Sequence, residues 1–153
     1  MDTTLLVLML LASIASYIIV GVRLMRLCDA SGVSNGWFSF IPLLAETRMA
    51  RLTGANPWLV AIVVIPVVGW IVLVVLDLIW LFRIAAHSGA TMWWWVSLLG
   101  PVAFGIVSGA FGDSTALGLI VSIVGIAVMT YARMMIFDPA KPMTVAGSTS
   151  ASA

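Results

Sequence analysis

The feature that most constrains this chain is a 25-residue apolar run at residues 58–82, broken near its middle by Pro66-Val67-Val68-Gly69. A transmembrane helix needs roughly 20 apolar residues, and proline and glycine are poor residues for a helix interior. Two structures therefore compete for this central run. It is either a kinked span that crosses the bilayer, or a re-entrant hairpin that enters the membrane and returns to the same side.

The composition places the chain in a membrane. Of the 153 residues, 63% are hydrophobic and only 8% are charged, and the mean hydropathy is +1.20. A soluble domain of this size has too little polar surface to cover so many apolar side chains. We expect one all-α, polytopic domain over residues 1–137, followed by a disordered tail over 138–153. The net charge of +1 argues against a nucleic-acid partner, so the bilayer is the expected partner.

Three further apolar runs, at residues 4–22, 92–111 and 115–132, predict spanning helices. The first run is similar in hydropathy to a signal peptide, but its basic residues, Arg23 and Arg26, follow the run rather than precede it. That order favours a membrane anchor with its N-terminus outside. Pro101 predicts an interruption in the run 92–111.

Between the run 4–22 and the central run 58–82, residues 37–53 predict a short amphipathic helix in the headgroup region. Pro42 suits a first helical turn and Gly54 a C-terminal cap. Glu46 lies toward the positive end of this helix, and Arg48 lies toward the negative end. Tryptophans, which anchor membrane proteins at the interface, are expected to do so at Trp37, Trp58, Trp93, Trp94 and Trp95.

Small residues at helical spacing predict where the helices pack. Gly105 and Gly109 are four apart in the run 92–111, and Gly118, Ser122 and Gly125 share one face of the last run. Such faces let helix backbones approach closely. We therefore expect contacts with other membrane proteins, or self-association, through these faces.

The distribution of charge favours the hairpin. With a hairpin, all seven Lys and Arg residues lie on one side; with a fourth span, they divide into four and three. The positive-inside rule prefers the first arrangement and places the C-terminus in the cytoplasm, with Asp2 and Asp113 outside. A faint repeat agrees, because residues 48–68 match 83–103 at seven of 21 positions, including arginine, glycine, tryptophan and proline.

Asp77 is the only ionisable residue well inside an apolar run. An ionised aspartate at a helix centre costs about 2.5 to 3.5 kcal/mol, so Asp77 is a candidate for proton or ion handling. The alternative is structural, because Arg83 lies only six residues away and water or a lipid headgroup can reach the carboxylate from that end.

Other chemistry finds little support in the sequence. His87 has no second histidine or cysteine at ligand spacing, so neither a metal nor a cofactor is expected. Cys28 is a lone thiol with no positioned base. An intramembrane aspartyl protease needs two aspartates that share a site, and Asp113 falls in a surface turn, away from Asp77. No enzymatic activity is expected.

A series of glycine, tryptophan and proline marks runs through residues 1–114: Gly36-Trp37, Ile41-Pro42, Gly54-x-x-Pro57-Trp58, Ile65-Pro66 and Phe111-Gly112-Asp113. In this order they resemble a family of small, uncharacterised bacterial membrane proteins, and similar segments precede the catalytic domain of some bacterial signal peptidases. The resemblance implies a polytopic protein of the bacterial inner membrane. It implies no catalytic residue, because the serine and lysine of the peptidase lie in a domain that this sequence does not contain.

The chain departs from the family pattern in several places. Ala45 and Gly69 stand where members carry asparagine, and residues 86–89 replace a Phe-Gly-Lys. The helix predicted from Thr115 onward is an addition.

Two functions follow from these observations. The first is an interaction or scaffold subunit of a membrane assembly. The alternative is a small transporter or channel component that uses the broken central run and Asp77, because broken helices expose backbone groups to ions.

Overall fold

The computed structural model describes residues 3–111 and 116–145, which form helices and turns. The α-helices are α1 (Thr3–Ala30), α2 (Pro42–Leu52), α3 (Val68–Ser88), α4 (Thr91–Phe111) and α5 (Ala116–Ile136). A first 3₁₀-helix (Gly36–Phe40) precedes α2, and a second (Pro57–Val64) precedes α3. The expected all-helical fold is thus confirmed for the described residues. Asp2, the Gly112-Asp113-Ser114 turn and residues 146–153 lie outside them.

Four of these helices are long and apolar enough to cross a membrane: Val7–Ala30 within α1, Val68–Ser88, Thr91–Ala110 and Leu117–Ile136. Large apolar side chains stay exposed along them, for example Leu10 on α1, Ile71 on α3 and Ile106 on α4. Exposed apolar surface on this scale fits a lipid environment and does not fit water. The chain is therefore a multi-pass membrane protein in its architecture.

α1 and α5 run in parallel, and α4 returns antiparallel to α5. Ser16 on α1 and Thr130 on α5 share a hydrogen bond of 2.6 Å. Beyond the helix ends, the Met143 N–H donates to the Ser31 hydroxyl at 2.9 Å. Trp93, in the first turn of α4, packs on Tyr131, with ring centroids 5.0 Å apart. The ends of α1, α3 and α5 and the start of α4 consequently lie together.

The best-buried side chains concentrate at that shared end. They come from residues 24–33, 49–52, 80–90 and 136–137. The largest include Trp80, Leu27, Leu81, Ile84 and Phe137. All seven basic residues fall in or within four residues of these segments: Arg23, Arg26, Arg48, Arg51, Arg83, Arg133 and Lys141. We call this layer the basic end.

The central run 58–82 divides into two helices of different kinds. The second 3₁₀-helix is capped by the Asn56 side chain, and the chain leaves helical geometry at Ile65. Val67, at φ 62°, turns the chain into α3. The second 3₁₀-helix then folds back on the start of α3, where Gly69 lies directly against the Ile62 carbonyl and leaves no space for a side chain. Pro66 and Gly69 thus lie where the helical backbone is interrupted.

The structure differs from the sequence prediction at two helices. α1 continues to Ala30 rather than ending near residue 22, because Leu24, Leu27 and Cys28 form a buried face against the basic end. The break predicted at Pro101 is absent, because α4 continues through the proline. Its neighbour Gly100 packs on Met129 of α5, so the helix stays in contact with α5 at the position of the missing N–H donor.

Residues 138–145, which the composition assigns to the disordered tail, contact the basic end. The Lys141 ammonium donates to the Ser88 carbonyl at 2.5 Å. The His87 ring is hydrogen-bonded to the Pro142 carbonyl at 3.1 Å. Met143 and Val145 pack against the buried cluster. This short segment therefore covers the ends of α1 and α3.

Candidate functional site

Two carboxyl groups from different helices meet inside the protein. Glu46 of α2 and Asp77 of α3 lie within hydrogen-bonding reach of each other. One oxygen of each group, Glu46 Oε2 and Asp77 Oδ1, is buried and has no hydrogen-bond partner among residues 3–111 and 116–145. Two adjacent buried carboxylates repel each other, so a shared proton is the arrangement that satisfies both.

The amphipathic faces of the two helices bring the carboxyl groups together. Asp77 lies one turn before Trp80 and Leu81, which are almost fully buried, so the same face of α3 carries all three inward. One side of α2 is buried against the rest of the protein. It packs against α3, with Met49 and Ala50 in the core. This packing turns Glu46 toward Asp77.

Arg133 of α5 supplies the positive charge of the site. Its charge acts on both carboxyl groups and favours their ionised forms. Burial has the larger effect on Glu46: together with the charge of Asp77, it raises the pKa of the Glu46 carboxyl from 4.5 to about 8. Glu46 therefore holds a proton at neutral pH. The site is a pair of neighbouring acidic side chains, and the charge of one guanidinium acts on both of them.

A second buried charge, Arg48, has a structural environment. Its Nη1 donates to the Ser34 carbonyl at 2.8 Å, and its guanidinium lies 4.7 Å from the centre of the Phe38 ring. Burial, with the nearby charge of Arg51, lowers the pKa of Arg48. These contacts tie the segment between α1 and α2 to α2, and they leave Arg48 outside the carboxyl pair.

Sequence reasoning found Asp77 and missed both of its partners. The sequence placed Glu46 toward the positive end of an interfacial helix, and it counted Arg133 only as one of the seven basic residues. Arg83, the basic residue closest to Asp77 in sequence, is exposed and is not among the charges that act on Asp77. Because Glu46, Asp77 and Arg133 come from three helices far apart in the chain, periodicity carries no signal that joins them.

The remaining candidate residues lie apart from this site. His87 contacts the 138–145 segment, and Cys28 is fully buried in the core. Among residues 3–111 and 116–145, no three histidine, cysteine or acidic side chains come together as a metal site would require. The Trp94 indole donates to the Leu78 carbonyl at 3.2 Å. The side chains of Trp37, Trp58 and Trp95 are exposed, as interfacial anchors require.

The small residues divide into two groups. Gly118 is buried, Gly125 lies against Phe104, and the Ser122 and Ser108 hydroxyls are 3.1 Å apart, so these residues of α5 pack on α4. Gly105 and Gly109 are exposed on α4, and no atom of another described residue lies within 4 Å of the position that a Cβ would take. The second group therefore makes no helix contact within the described residues.

Comparison of this chain with protein families, with curated proteins and with solved structures finds no match. The resemblance to the small bacterial membrane proteins therefore stays a prediction.

Proposed function

We propose that this protein is a small proton-handling membrane protein, a transporter component in which Glu46 and Asp77 share a proton beside Arg133. The observation that carries the proposal is the carboxyl pair, in which each group keeps one buried oxygen without a hydrogen-bond partner in the described part of the chain. From the sequence alone, a scaffold role is the first expectation and a transporter component the alternative. The pairing of Glu46 with Asp77 leads us to place the transporter component first.

The pair is an expensive way to hold two helices together. Apolar side chains of similar volume stabilise such a contact as well or better, because they carry no desolvation penalty. Ionisable groups inside membrane proteins mark proton or ion pathways by default. A pair that alternates between one proton and two is able to accept a proton from one side and release it to the other. Arg133 limits the net charge to zero or plus one.

We further propose that α1, α4 and α5 cross the membrane, and that the central run 58–82 forms a re-entrant hairpin that turns at residues 66–69. Two observations support this threading. The second 3₁₀-helix folds back on α3, and α3 ends at the same basic end from which α2 departs. The positive-inside rule then orients the basic end toward the cytoplasm, with the N-terminus outside. The family resemblance adds the bacterial inner membrane as the compartment.

Proton flux in liposomes tests the proposed function. The protein is reconstituted in liposomes that enclose a pH-sensitive dye. Under a potassium-diffusion potential, we expect protons to enter and the dye to report acidification of the interior. Asp77→Asn and Glu46→Gln should each abolish this flux. Asp29→Asn, which changes an exposed carboxylate outside the pair, should leave it unchanged. Absence of flux in the parent protein, or full flux in both pair variants, would remove proton handling as the function.

The scaffold role remains a second proposal, supported by the open face at Gly105 and Gly109. Two glycines four apart on a lipid-facing helix allow a second helix to approach closely. Gly105→Leu with Gly109→Leu should dissociate an oligomer or release a co-purifying partner in mild detergent. Ala103→Leu with Ala110→Leu, which adds bulk to another exposed side of the same helix, is the matched control. A single monomeric species for the parent protein would count against this role.

A further inference from the structure

A cleft opens between α1 and α4, with α5 as its floor. In the described part of the chain both helices pack on α5 and hardly touch each other. The cleft has a volume of about 500 Å³, which lies within the range of small-molecule sites in proteins. It is separate from the contact between Glu46 and Asp77, but Arg133 belongs to both.

The cleft combines apolar walls with one charge. Val20, Phe104, Ile126 and Met129 provide apolar surface along its length. Arg133 lines it at the basic end, three residues before α5 ends at Ile136. A ligand that fills this space therefore has a long apolar part and a negatively charged group at one end.

The hydroxyl groups that line the cleft are already bonded within the protein. The Ser13 hydroxyl donates to the Met9 carbonyl, and Ser16 is bonded to Thr130. The Arg133 guanidinium differs from them, because none of its five N–H donors forms a hydrogen bond with residues 3–111 or 116–145. Arg133 is thus the group that is able to bind an anion in the cleft.

We propose that this cleft holds an acyl chain of an anionic phospholipid, with the lipid phosphate bound by Arg133. Tyr17 on α1 and Pro101 on α4 line the cleft and are themselves exposed, so a ligand enters sideways from the bilayer. The basic end lies at the depth of one headgroup layer in the proposed threading. Charge complementarity and this lateral opening favour a lipid over a soluble anion. The proposal does not require proton transfer at Glu46 and Asp77.

Native mass spectrometry of the purified protein tests this site, with phosphatidylglycerol as the probe and phosphatidylcholine as the neutral comparison. The parent protein should retain one phosphatidylglycerol more tightly than phosphatidylcholine. Arg133→Gln should weaken phosphatidylglycerol binding about tenfold or more, since a hydrogen-bonded charge pair is lost. Arg51→Gln removes an exposed arginine of the same end and should leave the affinity unchanged.

A second variant keeps the test independent of Arg133. Ser13→Phe fills the cleft from α1 and should displace the bound lipid, whereas Ile18→Phe, on an exposed side of α1, should not. Equal affinities of the Arg133 and Arg51 variants would overturn the proposal. So would lipid retention in the Ser13 variant, or displacement of phosphatidylglycerol by millimolar inorganic phosphate, which would indicate a site for free anions.

Discussion

Replacing Glu46 with glutamine is expected to remove a pH dependence from the stability of the protein. The carboxyl group ionises near pH 4.5 in water, whereas burial raises the Glu46 pKa in the fold to about 8. Between these two values the folded protein holds a proton that the unfolded chain has released. The free energy of unfolding should therefore fall as the pH rises from 4.5 toward 8, and the stabilisation is complete only below pH 4.5.

The magnitude follows from the same two values. Each pH unit in this window corresponds to about 1.4 kcal/mol, which gives an upper limit of about 5 kcal/mol for the whole window. Asp77 titrates together with Glu46, so the pair shares this free energy. We expect the parent protein to lose about 2 to 3 kcal/mol between pH 5 and pH 8.

Tryptophan fluorescence measures this loss, with the protein in a mild detergent and a denaturing detergent added stepwise at each pH. Glu46→Gln should show a flat profile across the window, because glutamine resembles the protonated acid. Asp29→Asn, an exposed carboxylate, should keep the slope of the parent protein. A parent profile that is flat or rises with pH would refute the reasoning, as would an equal flattening by the Asp29 variant.

Three further substitutions test the packing by thermal unfolding. Gly69→Ala should destabilise the protein by more than about 2 kcal/mol, because the new Cβ meets a backbone carbonyl of the second 3₁₀-helix. Gly105→Ala, where the described residues leave space for a Cβ, should change the stability little. Equal effects of the two substitutions would contradict the hairpin packing. Val67→Gly should stabilise by about 1 kcal/mol, because a β-branched residue is strained at φ 62°, and a lower melting temperature would count against that strain. Trp80→Ala should cost about 3 to 5 kcal/mol and Trp58→Ala far less, since these side chains are 2% and 80% exposed; similar losses would place the core elsewhere.

Hydropathy and length predict most of this fold, because a bilayer leaves few choices to an apolar segment. The runs 92–111 and 115–132 match α4 and α5 within a few residues. The prediction of helix ends is wrong where a helix extends beyond its apolar run. α1 continues past its apolar part because Leu24 and Leu27 are buried against the basic end. The basic end is built from segments far apart in the chain, so the sequence around α1 does not reveal it.

The candidate site shows the same division. Asp77 stands out from sequence, because a charged residue is conspicuous among apolar neighbours. Glu46 does not, because a polar helix of ordinary composition surrounds it. What selects Glu46 is the packing of α2 against α3, a tertiary contact between segments 31 residues apart. The same holds for Arg133, whose charge acts on the pair because α5 packs against α3.

The meeting of Glu46 and Asp77 depends on one condition, which is that α2 and the end of α3 lie on the same side of the membrane. Single cysteines in a Cys28→Ser background test it, at Ser34 before α2, at Thr91 after α3 and at Thr4 near the N-terminus, all of which are exposed. A membrane-impermeant maleimide should label only the Thr4 cysteine in intact cells, and only the Ser34 and Thr91 cysteines in inverted vesicles. Labelling of Ser34 and Thr91 from opposite sides would make the central run a fourth span and would contradict the proposed hairpin and the site built on it.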